Sequence, residues 1–298
     1  MATRLGLKVD VDTLVGYRRG VPVLLEQLAG AGVSASFFFA VGPDRSGVAV
    51  KRVFTQRGFL GKMIRNRAPA TFGLRTMLYG TLLPAPLIVA SDPGLVRAVA
   101  EAGHEVGVHG WDHIAWHDGV GRMPPTVLDD QLRRAYETLA EVLGRQPRCF
   151  AAPGWQCGAN SLRDHDRRQL LYASDVRGSG GPFRPRLGEE AFGTPQLPTN
   201  LATMDEMWGL TARDGEEGVR HWLRELDPDL NVATVHAEME GLALPGVLPS
   251  FLGQLRDRGV EVGPLGRLVS GGDPATLPVR EVQPARLPGR AGWVWCVR

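Results

Sequence analysis

The chain has 298 residues, 43% of them hydrophobic and 22% charged, with a formal net charge of +2. That length suits one large α/β domain, that composition excludes a disordered chain, and that charge gives no general attraction for nucleic acid. Three cysteines, Cys149, Cys157 and Cys296, form no CxxC pair, which points to a reducing compartment without a disulfide framework. The opening MATRLGLKVDVDT carries no apolar leader, and no stretch reaches the ~20 apolar residues of a membrane span, so a cytoplasmic protein is expected.

RLGLKVDVDT alternates, with Leu5, Leu7, Val9 and Val11 on one face and Lys8, Asp10 and Asp12 on the other; period two reads as a strand. YRRGVPVLLEQLAGAG reads as a helix ended by glycine. SASFFFAVG (34–42) is a continuous apolar run, as in a buried parallel strand. DPGLVRAVAEAG (92–103) reads as a helix capped by Asp92 with Pro93 at its first position. HEVGVHG is the next strand. PPTVLDDQLRRAYETLAEVLG (124–144) keeps the 3.6-residue period through Val127, Leu128, Leu132, Ala135, Tyr136, Leu139 and Leu143. RCFAAPG, LYASDVRG (171–178) and NVATVHAEMEG (231–241) read as strands, and a helix near 246–258 precedes VEVGPLGRL. The tail from about 271, rich in Pro, Gly and Arg, is expected to wrap the surface loosely.

Strand and helix alternate throughout, which predicts a parallel α/β architecture. Chemistry then belongs at the carboxyl ends of the strands. The notable polar residues fall there in strand after strand: Asp10 and Asp12, His109 and His113, the 151–155 stretch, Asp175 and His236.

VGVHGWDHIAWH places three of seven histidines close together. On a helical turn the four-residue spacing of His109 and His113 brings both rings to one side. Two imidazoles and one carboxylate form a three-ligand set that leaves positions for water and substrate, as catalytic metal sites do. Such donors accept Zn, Co, Mn or Ni. His117 is expected in a turn, His104 at a helix end, and His165 and His221 on solvated helical faces.

VDVDT, HGWDH, FAAPGW, YASDVRG and TVHAE occur in the order of the motifs of the polysaccharide deacetylases, the metal-dependent carbohydrate esterases, and the chain resembles that family over roughly residues 4–270. HGWDHIAWHD, SDVRG, PFRP, LPTNLATMDE and HAEMEG give a narrower likeness to the members that deformylate 4-deoxy-4-formamido-L-arabinose on undecaprenyl phosphate. The resemblance implies a distorted (β/α) barrel of about seven parallel strands, with a divalent ion on Asp12, His109 and His113. It implies Asp10 as catalytic base, His236 as general acid and Asp175 as the carboxylate that tunes that histidine. Many relatives carry an arginine before the proline of the third motif, where it orients the base; here that position is Ala151. The first motif also reads Asp-Val-Asp where many relatives have adjacent aspartates, so the base and ligand roles could be exchanged; two carboxylates on one strand face favour the assignment given. The implied reaction is Lewis-acid activation of the formamide and a water, with the oxyanion near the Trp155 backbone N–H, yielding formate and an aminosugar used in lipid A modification and cationic-peptide resistance. Competing readings are an N-deacetylase of another N-acylated sugar or polysaccharide, and a metal-free binding module on the same scaffold.

From Arg45 to Ser91 there is no Asp or Glu. Lys51, Arg52, Arg57, Lys62, Arg65 and Arg67 lie among many apolar residues, the composition of a segment that rests on an anionic membrane surface. With a lipid-linked sugar substrate, this places the protein peripherally at the cytoplasmic face of a bacterial inner membrane. Arg177 and Arg184 are candidates for the substrate phosphate. The expected organisation is a catalytic barrel over 1–270, including the basic insertion at 45–91, and a tail over 271–298.

Overall fold

The computed structural model describes residues 3–49, 73, 75–269 and 272–298. A parallel sheet of seven strands curls into a half-barrel in the order β5-β4-β3-β2-β1-β8, with β9 also on β1. The strands are β1 (Arg4–Val11), β2 (Ser36–Phe39), β3 (Glu105–Val108), β4 (Cys149–Phe150), β5 (Tyr172–Ala173), β8 (Leu230–His236) and β9 (Glu261–Gly263). The expected parallel α/β fold of about seven strands is what forms, its sheet curled into a half-barrel. On one edge of β1, β8 runs from Arg4 to Asp10; the other edge is shared, with β9 along Arg4–Gly6 and β2 along Lys8–Val11.

The period-two pattern sorts the side chains. Leu5, Leu7, Val9 and Val11 of β1, Phe37 and Phe39 of β2, and Ala233 and Val235 of β8 join the outer core beneath the helices. The alternate residues face inward, where Phe38, Cys149, Ala151, Tyr172, Leu197, Val232 and Leu265 form a second, smaller core. Lys8, Asp10 and His236 occupy inward positions of β1 and β8.

The helices cover the outer face. α1 (Val21–Ala31) carries Pro22 in its first turn and stops where Gly32 turns left-handed at φ 66°. α2 (Pro93–Glu101) starts at Pro93 as expected, although the Asp92 side chain makes no capping bond. α3 (His113–Gly119) is short, and α4 (Pro125–Leu143) buries Leu128, Leu132, Ala135, Tyr136 and Leu139. Val127, read from the sequence as part of that stripe, is 45% exposed, while its neighbour Leu128 is buried. α5 (Ala159–Arg167), α6 (Gly215–Arg224) and α7 (Val247–Asp257) complete the layer.

The tail does not wrap loosely. Its strands β10 (Val279–Ala285) and β11 (Val294–Val297) join β6 (Arg184–Leu187) and β7 (Glu190–Ala191) in a second sheet ordered β11-β10-β6-β7. Val282 packs with Cys157, Val176 and Phe183 in a core of its own. Neither strand alternates, and the Pro and Gly around them masked the hairpin. Lys51, Arg52, Arg57, Lys62, Arg65 and Arg67 lie outside the described residues. The described end of the insertion exposes Leu82 to 80% and Leu87 to 45%. Among the described residues no helix is long and apolar enough to cross a membrane.

Candidate active site

Asp10 is the last inward residue of β1, and β8 places His236 beside it in register. Asp12 follows just past the strand, where Glu238 Oε1 accepts hydrogen bonds from the Asp12 N–H (3.2 Å), the Thr13 N–H (2.9 Å) and the Thr13 hydroxyl (2.6 Å). Asp44 accepts from the Leu14 N–H at 2.8 Å and fastens the same loop from the β2 side.

His109 and His113 converge, but not on one helical turn. His109 ends the β3 extension, Gly110 reverses the chain at φ 78°, and His113 opens α3 under a cap in which Asp112 Oδ1 accepts from the Ala115 N–H at 2.9 Å. The ring centroids stand 5.3 Å apart. The glycine made the convergence possible; the i,i+4 geometry expected from spacing did not. Arg45, at the start of the insertion, donates to Asp112 Oδ2 at 3.0 Å and ties the insertion to this loop.

Nε2 of His109 lies 3.3 Å from Asp12 Oδ1, and Nε2 of His113 lies 3.4 Å from Asp12 Oδ2. Donor atoms held tetrahedrally at ~2.1 Å from one ion would stand about 3.4 Å apart. The ligand atoms of all three residues lie within 4.8 Å of one another. His109 Nδ1 meets the Ala151 carbonyl at 2.7 Å; a carbonyl only accepts, so Nδ1 carries a proton and Nε2 is the ring atom that faces Asp12. Asp12 Oδ1 is buried and accepts no hydrogen bond. Two acceptors facing each other there fit a cation between them. Burial would raise the Asp12 carboxyl, but the imidazoles of His113, His109 and His236 outweigh it and hold the group far below the usual carboxylate range.

Asp10 Oδ2 lies 3.3 Å from the ammonium of Lys8 and 4.0 Å from His109 Nε2, while Oδ1 is buried without a hydrogen bond. The His236 N–H donates to Glu240 Oε2 at 2.7 Å. Burial pulls the His236 imidazole down, but Asp205, Asp12, Asp10 and Glu240 outweigh it, and its pKa stands above the ordinary histidine value. Burial pushes Glu238 and Glu240 up to about 7; Asp12 adds to the effect on Glu238, and Asp205 to that on Glu240.

Several expected partners are placed otherwise. Asp175 does not pair with His236: its Oδ2 accepts from His165 Nε2 (3.0 Å) and Gln196 Nε2 (2.9 Å). His165, read as solvated, is fully buried against Phe150. The inward face of α5 is polar, with Ser161, Asp164 and His165 all buried, so an amphipathicity argument reads it inside out. His236 instead has Asp205 as its foremost acidic neighbour in electrostatic effect. Arg177 is 5% exposed and its donors serve the chain itself: Glu206 at 2.7 and 2.9 Å, the Thr199 carbonyl at 3.1 Å and the Leu201 carbonyl at 3.1 Å. Arg184 donates to the Phe192 and Ala275 carbonyls from the second sheet. The donors of Arg177 are thus turned to the chain itself and not to a substrate phosphate.

The Trp155 N–H donates to the Ala152 carbonyl at 3.1 Å, so it is not the oxyanion donor expected. Trp155 is buried with φ 53°, a strained value for a non-glycine residue and one that clusters at functional sites. Its ring meets the cations of Lys8, Arg177 and Arg290 at 5.1, 4.7 and 4.8 Å. His117 lies on α3 rather than in a turn, and His104 is a buried acceptor from the Ala35 N–H at 3.1 Å. The sequence reading missed Lys8, Glu238, Glu240 and Asp205. Lys8 had a legible signal, a cation two residues before Asp10 on the same face of a buried strand.

The polysaccharide deacetylase family profile matches residues 12–169. The chain is 35% identical over 293 residues to the probable 4-deoxy-4-formamido-L-arabinose-phosphoundecaprenol deformylase ArnD of Shewanella sediminis, covering 98% of this chain and 94% of that one. It is 29% identical to the corresponding protein of Wigglesworthia glossinidia brevipalpis, over 94% and 97% of the two chains. A crystal structure from Mycobacterium smegmatis, provisionally assigned as a polysaccharide deacetylase, superposes with a TM-score of 0.66 at 18% identity, over 96% and 95% of the chains, and has the same fold.

Proposed function

Because the chain belongs to the polysaccharide deacetylase family, and is an amide hydrolase of carbohydrate substrates, we propose that it removes the formyl group from 4-deoxy-4-formamido-L-arabinose carried on undecaprenyl phosphate. The products are formate and the aminoarabinose lipid of lipid A modification. The observation that carries this reading is the convergence of Asp12, His109 and His113 beside the unpartnered Asp10 Oδ1, in a chain with 35% identity to a probable deformylase over nearly its whole length.

Asp12, His109 and His113 would hold a divalent ion, which when bound would supply Lewis acidity toward an amide carbonyl and a water; zinc, cobalt, manganese and nickel all suit the donor set. Asp10 takes the proton of the attacking water on Oδ1, the oxygen that Lys8 leaves open. The amine is a poor leaving group until protonated. His236, raised above the ordinary histidine value by the carboxylates around it, is placed to supply that proton and faces the same space as Asp10. Glu238 keeps the loop of Asp12 in place through three hydrogen bonds.

The protein works on the cytoplasmic face of the inner membrane as a peripheral enzyme. The acid-free basic segment 45–91 is the contact, and the exposed Leu82 and Leu87 at its end support it. The test is a side-by-side assay of formate release from the formamido lipid and acetate release from an N-acetylated sugar. Formate release alone is the expected result; acetate release alone assigns the chain to N-deacetylation of another sugar.

A further inference from the structure

We propose that Lys8 is the positioning residue for Asp10: its ammonium holds one carboxylate oxygen so that the other is presented to the attacking water. The proposal rests on the reading of Asp10 as the base. Lys8 is 0% exposed, and a lysine is almost never fully buried unless it is paired. Its ammonium lies 3.3 Å from Asp10 Oδ2 and 3.4 Å from the Ser174 carbonyl. The rings of Trp155 and Phe38 stand 5.1 and 5.9 Å away. These contacts fix the ammonium from both sides of the barrel. Asp10 Oδ2 is thereby engaged, and Oδ1 has no partner.

A purely structural reading of the pair is weak on physical grounds. Burying an ammonium costs about as much as its pairing returns, and replacing buried ions with apolar groups of like volume is often neutral. Something other than stability keeps a full charge inside the barrel. The third motif leaves the task open, since Ala151, inward-facing and 0% exposed, offers no cation of its own. Lys8 reaches the carboxylate from two residues earlier on the same strand. Lys8 reaches the site through Asp10 and is not one of the candidate ligands Asp12, His109 and His113, so its effect passes through Asp10.

The experiment compares Lys8→Met, Lys8→Ala and the double variant Lys8→Ala/Ala151→Arg with the wild type and with Asp10→Asn. Readouts are kcat and KM for formate release from the formamido lipid, bound metal per chain, and Tm. Lys8→Met is expected to fold, to hold metal as the wild type does and to keep KM, while kcat falls by roughly 10- to 100-fold, the cost of a misplaced reacting group. The guanidinium in the double variant is expected to return at least about 10-fold of what Lys8→Ala loses. Wild-type kcat in Lys8→Met overturns the proposal. So does a fallen Tm with kcat per folded chain unchanged, or a loss of metal in step with kcat. A wild type that releases no formate, or an active Asp10→Asn, refutes the parent reading instead.

Discussion

The two ends of the half-barrel each hold a cluster of polar side chains, one centred on Glu105 and satisfied, the other on Asp10, Asp12 and Glu240 and open. At the amino end, Glu105 Oε2 accepts hydrogen bonds from the Tyr172 hydroxyl, the Ser36 hydroxyl and the Gly266 N–H. Ser36 Oγ in turn accepts from the Leu265 N–H at 2.8 Å. That network is closed and knits β2, β3, β5 and the segment after β9. At the carboxyl end, Asp10 Oδ1, Asp12 Oδ1 and Glu240 Oε1 are buried without partners. A buried, unsatisfied oxygen costs about 1–3 kcal/mol, more when charged. A fold that closes one end and leaves the other unsatisfied carries that cost where a cation and a substrate can relieve it.

The comparison breaks most visibly at the open end. Asp12→Ala is expected to abolish stoichiometric metal binding and to lower formate release by at least roughly 1000-fold, with Tm little changed; metal analysis and the assay together read this. A variant that keeps its metal would remove Asp12 from the ligand set.

The buried pair behind the site sharpens the contrast. Asp175→Ala leaves His165 and Gln196 without their acceptor, and should cost about 3 kcal/mol of stability by denaturant unfolding. The alkaline limb of the kcat–pH profile should stay where it is. Asp205→Asn should move that limb to lower pH, because His236 acts in its protonated form and loses the carboxylate that most raises its pKa. A limb that moves with Asp175 and not with Asp205 would restore the partnership that the sequence resemblance implied.

Glu240 offers a pH test of the same openness. Its carboxyl, raised from 4.5 to about 7, holds a proton more tightly in the folded chain than in the unfolded one. The resulting stability is complete below the unfolded value and is lost as pH rises through about 7. Glu240→Gln should therefore change stability little near about pH 5 and raise it near about pH 8.5, by at most about 3 kcal/mol, with Tm following. Equal Tm shifts at both values would show that the carboxyl ionises freely in the fold. At the closed end the effect is smallest: Tyr172→Phe removes one donor to Glu105 and should cost about 1–2 kcal/mol with kcat unchanged.

The fold was legible because its signals are periodic. Alternation in RLGLKVDV sorted β1 onto two faces, and the run FFF and the long stripe of α4 needed no tertiary information. What the sequence read least well was pairing across the barrel. Asp175 and His236 stand at the ends of their strands as expected, yet which imidazole meets which carboxylate depends on the inward face of α5, whose polar composition mimics a solvated surface. Gly110 illustrates a related gap: the histidines it brings together converge through a left-handed reversal, a route that spacing alone cannot distinguish from a helical turn. The tail hairpin was hidden by Pro and Gly, which mark turns whether or not short strands lie between them.

The most direct test strips the protein of divalent ions with a chelator, verifies the removal by metal analysis, and follows formate release as one ion per chain is returned. Turnover should vanish on stripping and climb in proportion to occupancy, reaching its plateau at about one equivalent, with Asp12→Ala unresponsive throughout. Undiminished turnover by the stripped protein would contradict the assignment of Asp12, His109 and His113 as the centre of the chemistry.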